Sequence, residues 1–152
     1  MPATTFHWIR VQTFCYATER KELLEEVMEE LLGDAEYSEE LTESEHGNTM
    51  IILEARLTKQ KQFRQLFEKL GADIRGWIIA DMENRIDEDC VFYMRLDKQK
   101  AVQGEYAVAH HGDVISITGK VQSHPARKEI AARTLEEFLA GIADQSSSED
   151  SP

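Results

Sequence analysis

The side chains of this chain that could do chemistry are mostly cations and amides of its later half. Arg95, Lys98, Gln99 and Lys100 fall within six residues, Lys120 follows alone, and Arg127 stands beside Lys128. Guanidinium and ammonium groups hold phosphate oxygens, and a carboxamide can bond a sugar hydroxyl or an exposed base edge. If the strands carrying Arg95 and Lys120 are neighbours, these groups converge on one edge of a sheet. Arg56 and Asn48 can extend that patch from an earlier hairpin. The opposing reading is that the same cations only form exposed ion pairs, with Asp97, Glu105 and Glu129, or Arg56 with Glu54, each worth roughly 0–1 kcal/mol. Both readings stand at this point.

Other chemistries find little support. Neither a CxxC nor an HExxH spacing occurs, and His110, His111 and Asp113 form the only local cluster of metal-ligand types, in a segment that reads as an exposed loop. His46 precedes Gly47 in a turn, and His7 lies on a strand. Cys15 and Cys90 sit inside apolar segments, where buried, reduced thiols are expected rather than nucleophiles or a disulfide. There is no GxSxG elbow and no GxxxxGK[ST] or GxGxxG phosphate loop. Asp87, Glu88 and Asp89 read as a solvated charge run. The expectation is a non-enzyme without metal or cofactor.

Composition narrows the classes further. The chain has 152 residues, 41% of them apolar, enough for one domain with its own core. Its 29 acidic and 17 basic side chains leave a formal charge of −12, which excludes attraction of nucleic acid by net positive charge. The charge is uneven: residues 84–133 carry eight basic and seven acidic groups, whereas 1–83 carry nine and 17. An anionic partner therefore has to meet a local patch in the later half. Twenty Glu and nine Asp against eight Lys suit a high-salt cytoplasm, because a strongly hydrated anionic surface resists salting out. No apolar run is long enough for a membrane span or a signal peptide, so a cytoplasmic location without membrane contact is expected.

The elements that must position the cations follow from periodicity. FHWIRVQTFCY (6–16) predicts a largely covered strand with His7, Ile9, Val11, Thr13 and Cys15 on one face and Phe6, Trp8, Phe14 and Tyr16 on the other. A helix capped by Thr18 runs to Gly33. Strands at 37–45 and 50–57 flank the turn His46-Gly47-Asn48 and pair antiparallel. Helices capped by Thr58 and Asp73 follow, then a strand at 90–96, a stretch at 97–112 read as a helical turn or irregular loop, and a strand at 114–121. A last helix has Pro125 in its first turn. The order predicts an α+β fold, a mostly antiparallel sheet of about five strands with helices packed on one face. A single domain should span 1–143, and 144–152 should be a disordered acidic tail.

Three stretches carry a resemblance: His46-Gly47-Asn48 leading into IILEARL at 51–57, RLDKQ at 95–99, and the strand-Pro-basic helix entry at Lys120, Pro125, Arg127 and Lys128. Across residues 5–141 the chain resembles the archaeal RNA-binding family described as predicted exosome subunits, whose fold is similar to that of ribosomal protein L5. The resemblance implies a non-catalytic RNA-binding protein, an accessory of exosome-type RNA processing or of the ribosome, with exosome or ribosomal proteins as partners. The family's motif residues fall here on His46, Gly47, Asn48, Glu54, Arg56, Arg95, Asp97, Lys98 and Gln99. The expected RNA surface is Arg95, Lys98, Gln99, Lys100, Lys120, Arg127, Lys128, Arg56 and Asn48. The rival is a protein-interaction module or homodimer that uses Trp8, Phe14 and Tyr16 on an uncovered strand face and binds no RNA.

Overall fold

The computed structural model describes residues 4–142; the expected acidic tail, 144–152, lies outside them. The described residues form strands β1 (Phe6–Tyr16), β2 (Glu36–Glu43), β3 (Thr49–Leu57), β4 (Val91–Asp97) and β5 (Val114–Val121). Interspersed are helices α1 (Lys21–Leu32), α2 (Gln60–Leu70), α3 (Ala72–Ala80), α4 (Met82–Arg85), α5 (Lys98–Val102) and α6 (Lys128–Ala140). The strands pair in the order β2-β3-β1-β5-β4, every pair antiparallel. The α+β class and the single five-stranded antiparallel sheet are as the periodicity predicts.

Strand alternation decides which side of the sheet is covered. Ile9 and Val11 of β1, Leu53, Ala55 and Leu57 of β3, Phe92, Met94 and Leu96 of β4, and Ile115 and Ile117 of β5 are all buried. They meet the apolar stripes of the helices, among them Leu31, Phe63, Phe67, Ile78, Leu135 and Leu139. Among the described residues the opposite side carries no helix, so β1 is covered there on one face rather than on both. β2 departs from the rest: seven of its eight residues are exposed, and four of the eight are glutamates. Charge along an unpaired edge strand opposes pairing with another chain.

The start of β1 breaks its own alternation. Between Phe6 and Trp8 the register against β5 shifts, and this bulge turns Phe6 into the core while His7 points to solvent. The sequence pattern had placed them the other way round, because a strict period of two cannot register an extra residue. Phe6 then lies 5.3 Å from Phe63, 6.0 Å from Phe67, 6.3 Å from Phe92 and 6.4 Å from Phe138, ring centre to ring centre. The space it fills is left by Gly119 of β5, whose missing Cβ would sit 2.8 Å from the Phe6 ring.

Three expected caps are not the caps used. α1 is entered through Arg20, α2 through Lys59 and α3 through Gly71, none with a side-chain cap bond. In α2 the task passes to Gln62, whose side-chain oxygen accepts from the N–H groups of Thr58 and Lys59 at 3.0 Å each. Asp73 sits in the first turn of α3, where its charge still meets the positive end of the helix. Ahead of α1, a turn closed by the Glu19 N–H on the Tyr16 carbonyl delays the helix past Thr18. Pro125 lies before α6, which is entered through Arg127. Cys15 and Cys90 are buried and free, as expected; burial first, and then the charge of Glu19, pushes the Cys15 thiol up.

Gly119→Ala should therefore destabilise the protein by about 1–3 kcal/mol through overpacking, read as a lower urea midpoint. In a Phe6→Leu background the same substitution should cost less. An equal cost in both backgrounds would remove the Phe6 contact as the cause.

Candidate nucleic-acid interface

The uncovered face of the sheet is built in cross-strand rows. One row, fixed by register, runs Glu36, Arg56, Arg10, Thr118, Tyr93 from β2 to β4. The next runs Ser38, Glu54, Gln12, Ser116, Arg95. On the other side of the first row, Trp8 faces Lys120, which faces Val91. The face is thus electrically divided. Acids lie towards β2 and β3, at Glu36, Glu40 and Glu54, whereas the β1–β5–β4 part carries Arg10, Lys120 and Arg95 with the Trp8 and Tyr93 rings.

Arg10 and Arg56 are direct cross-strand neighbours, an arrangement that like charges disfavour unless an anion lies between them. Neither belongs to an ion pair among the described residues. Instead the Arg56 guanidinium packs over the Trp8 ring, 5.6 Å from its centre. Lys120 donates from Nζ to the Asp89 carbonyl, and Arg95 donates from Nη1 to the His110 carbonyl at 2.9 Å. These bonds hold the two cations by neutral groups, and neither cation belongs to an ion pair among the described residues, although the Asp87 carboxylate lies near Lys120.

The loop of Asp87, Glu88 and Asp89 lies beside Tyr93 and is closed by the N–H groups of Asp89 and Val91 on Asp87 Oδ1, at 2.9 and 3.0 Å. Burial alone would raise the Asp87 carboxyl, but N–H donation from Val91, the Tyr93 hydroxyl, the Asp89 N–H and the nearby Lys120 bring it below its ordinary 3.8. Partial burial and the same contact hold the Tyr93 phenol above its ordinary 10.0. The Tyr93 ring remains 46% exposed on the open face.

Lys98 is a different case. Its side chain is 0% exposed, and its three N–H groups are all used: 2.7 Å to the Phe14 carbonyl, 2.7 Å to Glu19 Oε1 and 3.0 Å to Asp113 Oδ1. The ammonium also lies 4.7 Å from the Tyr16 ring centre. Gln99 bridges the same acids, donating to Glu19 Oε2 at 3.2 Å and to Asp113 Oδ2 at 3.0 Å. Asp97 caps α5 by accepting from the Lys100 N–H at 2.9 Å. The motif RLDKQ therefore divides: Arg95 faces outward, Leu96 fills the core, and Asp97, Lys98 and Gln99 lock α5 to the end of β1 and the approach to β5.

Of the residues expected to contact RNA, Arg56, Arg95 and Lys120 share the open face. Lys98 does not reach solvent and is corrected to a structural role, whereas Gln99 is exposed with its Nε2 turned to two carboxylates. A buried ammonium needs counter-charge, and Glu19, distant in sequence, supplies it. Lys100 is exposed on α5, and Asn48 is exposed in the β2–β3 hairpin, both at the Tyr16 end of the sheet. Arg127 and Lys128 start α6 in the helix layer, where Lys128 pairs with Glu83 at 3.1 Å. Trp8, Arg10, Gln12 and Tyr93 lie on the same open face and are absent from the expected surface. The signal was present in WIRVQ, where an aromatic, a cation and an amide alternate with Ile9 and Val11.

Two concavities of similar size differ in charge. A groove of about 450 Å³ between α1 and β2–β3 is lined by Glu25, Glu29, Glu39 and Glu54 with Lys21 as its one cation. A cleft of about 440 Å³ over β5 and β4 is lined by Tyr93, Arg95, Gln12 and Ser116 from the sheet, with Arg85 and His110 beside them. Among the described residues no three His, Cys, Asp or Glu side chains converge as a metal site, and no helix is long and apolar enough to cross a membrane.

An α+β protein with one bare sheet face that interleaves cations and aromatic rings has the build of a nucleic-acid-binding domain. The family model described as RNA binding matches residues 8–121, and the chain belongs to that RNA-binding family. It is 33% identical over 145 residues to the RNA-binding protein PAB1135 of Pyrococcus abyssi, covering 89% of this chain and 94% of that protein. Among solved structures it is similar to Mth689, a DUF54 protein from Methanothermobacter thermautotrophicus, with a TM-score of 0.74 at 30% identity, 88% of this chain and 98% of that one. It is equally similar to the DUF54 protein AF2318 from Archaeglobus fulgidus, with a TM-score of 0.74 at 28% identity over 91% and 99% of the two chains.

Lys98→Met should cost about 2 kcal/mol in urea unfolding, less than the 3–5 kcal/mol of a fully buried pair because Glu19 and Asp113 can rehydrate. The folded variant should keep its RNA affinity. A drop in affinity without loss of stability would return Lys98 to the binding surface. For Asp87 the folded carboxyl lies below its unfolded value, so its contribution is present above 3.8 and fades as pH falls through the lower folded value. The stability gap between the native chain and Asp87→Asn should follow that course, and a gap independent of pH would contradict it.

Proposed function

We propose that this chain is a non-catalytic RNA-binding protein whose contact surface is the open β1–β5–β4 face, continued onto β3 by Arg56, and that it serves as an accessory of RNA processing of the exosome type or of the ribosome. The observation that carries this reading is the Arg10–Arg56 pair. Two arginines are direct cross-strand partners on a chain of charge −12 with no ion pair to either among the described residues, and a phosphate group bound between them relieves the repulsion. Arg95 and Lys120 stand in the neighbouring rows, so four cations can follow a backbone across the sheet. Folding gathers them from β1, β3, β4 and β5 onto one face of a protein whose net charge repels RNA, and that gathering supports a dedicated site. With no long-range attraction to draw RNA in, affinity rests on close bonds and ring stacking. The family it belongs to and the name of its Pyrococcus abyssi relative support RNA as the partner class.

The test is an RNA titration at several salt concentrations with the native chain, Arg10→Ala, Arg56→Ala and the double variant. The log-log salt slope of the native chain should not exceed about −3, and each lost cation should reduce it by about 0.7. Unchanged affinity in the double variant would overturn the face as the contact surface. Absence of binding at every salt concentration, with self-association abolished by Phe14→Ser and Tyr16→Ser, would replace RNA binding with a protein-interaction module.

A further inference from the structure

The cleft over β5 and β4 adds something the flat face does not. We infer that it is a pocket for one unstacked nucleotide, so that the RNA recognised here is single-stranded; this rests on the reading of the open face as the RNA surface. Its floor is Ser116 and Thr118 of β5, with Gln12 on the β1 side and Tyr93 and Arg95 on the β4 side. The volume of about 440 Å³ lies within the range of about 300–1,000 Å³ in which small organic ligands are held.

Each wall has a part that a nucleotide uses. Tyr93 stands on the open face and is half-exposed, so its ring is available to a base. Gln12 has a carboxamide whose bond to Glu54 is long, at 3.5 Å, so it is loosely held and can turn to a base edge, as can the Ser116 hydroxyl. In the outer wall the Arg85 guanidinium lies 4.9 Å from the Trp77 ring centre, and the Trp77 and His110 rings meet edge to face at 6.3 Å. Arg85 Nε is buried 3.1 Å from an Asp81 oxygen, which fixes the guanidinium in this wall. Arg95, tied to the His110 carbonyl, sits where the phosphate of a bound nucleotide would emerge.

The geometry selects a strand over a duplex and over a free nucleotide. Stacking on Tyr93 requires a bare base face, and in a duplex both faces of a base are covered by its neighbours. From Arg56 on β3 to Arg95 on β4 there are three inter-strand gaps, about 14 Å at the usual spacing, farther than the phosphate of one nucleotide can serve. The glutamate-lined groove beside α1 has similar room and the wrong charge.

Fluorescence-labelled ten-nucleotide RNAs without secondary structure and a blunt RNA hairpin are the probes, with adenosine and uridine monophosphate as competitors. The native chain should bind the single strands at least tenfold more tightly than the hairpin. Tyr93→Leu should lose about tenfold for single strands, within the usual range for one stacked base, and stay within twofold for the hairpin; Tyr93→Phe should bind like the native chain. Ser116→Glu, which places a carboxylate in the cleft without removing a ring, should repeat the loss if Tyr93→Leu fails to fold. Equal affinity of the native chain for strand and hairpin, or equal weakening of both by these variants, would overturn the pocket. If Arg10→Ala still weakens RNA binding in that event, the open face survives as the contact surface and only the cleft falls. A monophosphate that displaces the strand at equal concentration would overturn the strand as ligand.

Discussion

The fold turns on one exchange of volume, a phenylalanine ring set against a missing methyl. Phe6 enters the core only because the start of β1 is bulged, and it fits there only because residue 119 has no side chain. From that position the ring touches aromatic residues of α2, β4 and α6, so elements far apart in sequence share a single contact point. The same bulge has a consequence on the other side. It turns His7 out beside Trp8, whereas Trp8, Arg10 and Gln12 share the bare face by plain alternation.

Electrostatics separates the cations into two kinds. Lys98 is desolvated, and a lone buried ammonium would be untenable, so two carboxylates, a carbonyl and a ring surround it. The result fastens α5 and the Glu19 turn to the strands and does not reach a ligand. Arg56 is held by a ring face and Arg95 and Lys120 by backbone carbonyls, which orient a cation without neutralising it, and Arg10 stands beside them without an ion pair among the described residues. Orientation without neutralisation is the condition under which a few cations can hold a phosphate on a strongly acidic protein. Most acids of the open face lie towards β2 and β3, with Asp87 near Lys120 as the exception.

Periodicity made most of the fold legible, since each strand and long helix has an apolar stripe of its own period, and Gly33, Gly47 and Gly71 mark three of the breaks. What it did not reveal depended on long-range contacts. The caps expected at Thr18 and Thr58 gave way to a turn at Glu19 and to Gln62. Lys98 and Gln99, beside Arg95 in sequence, resembled members of one basic patch; only the fold brings Glu19 and Asp113 to them. Arg56, Arg95 and Lys120 were singled out from charge alone. Arg10, Trp8 and Tyr93 escaped because a strand's outward residues carry information only once its inward ones are known to be covered.

Binding on such a face has to be local. A protein at −12 repels RNA at distance, and in strong salt that repulsion is screened along with any attraction. Counterion release from four cations is small, and more of the free energy must come from ring stacking and hydrogen bonds, which ionic strength affects little. A cleft beside the cations, with one ring as platform and amide and hydroxyl groups within reach, supplies that kind of contact. The acidic exterior then favours selectivity: a polyanion that cannot place a base against Tyr93 has only four charges to hold it against the repulsion of the rest.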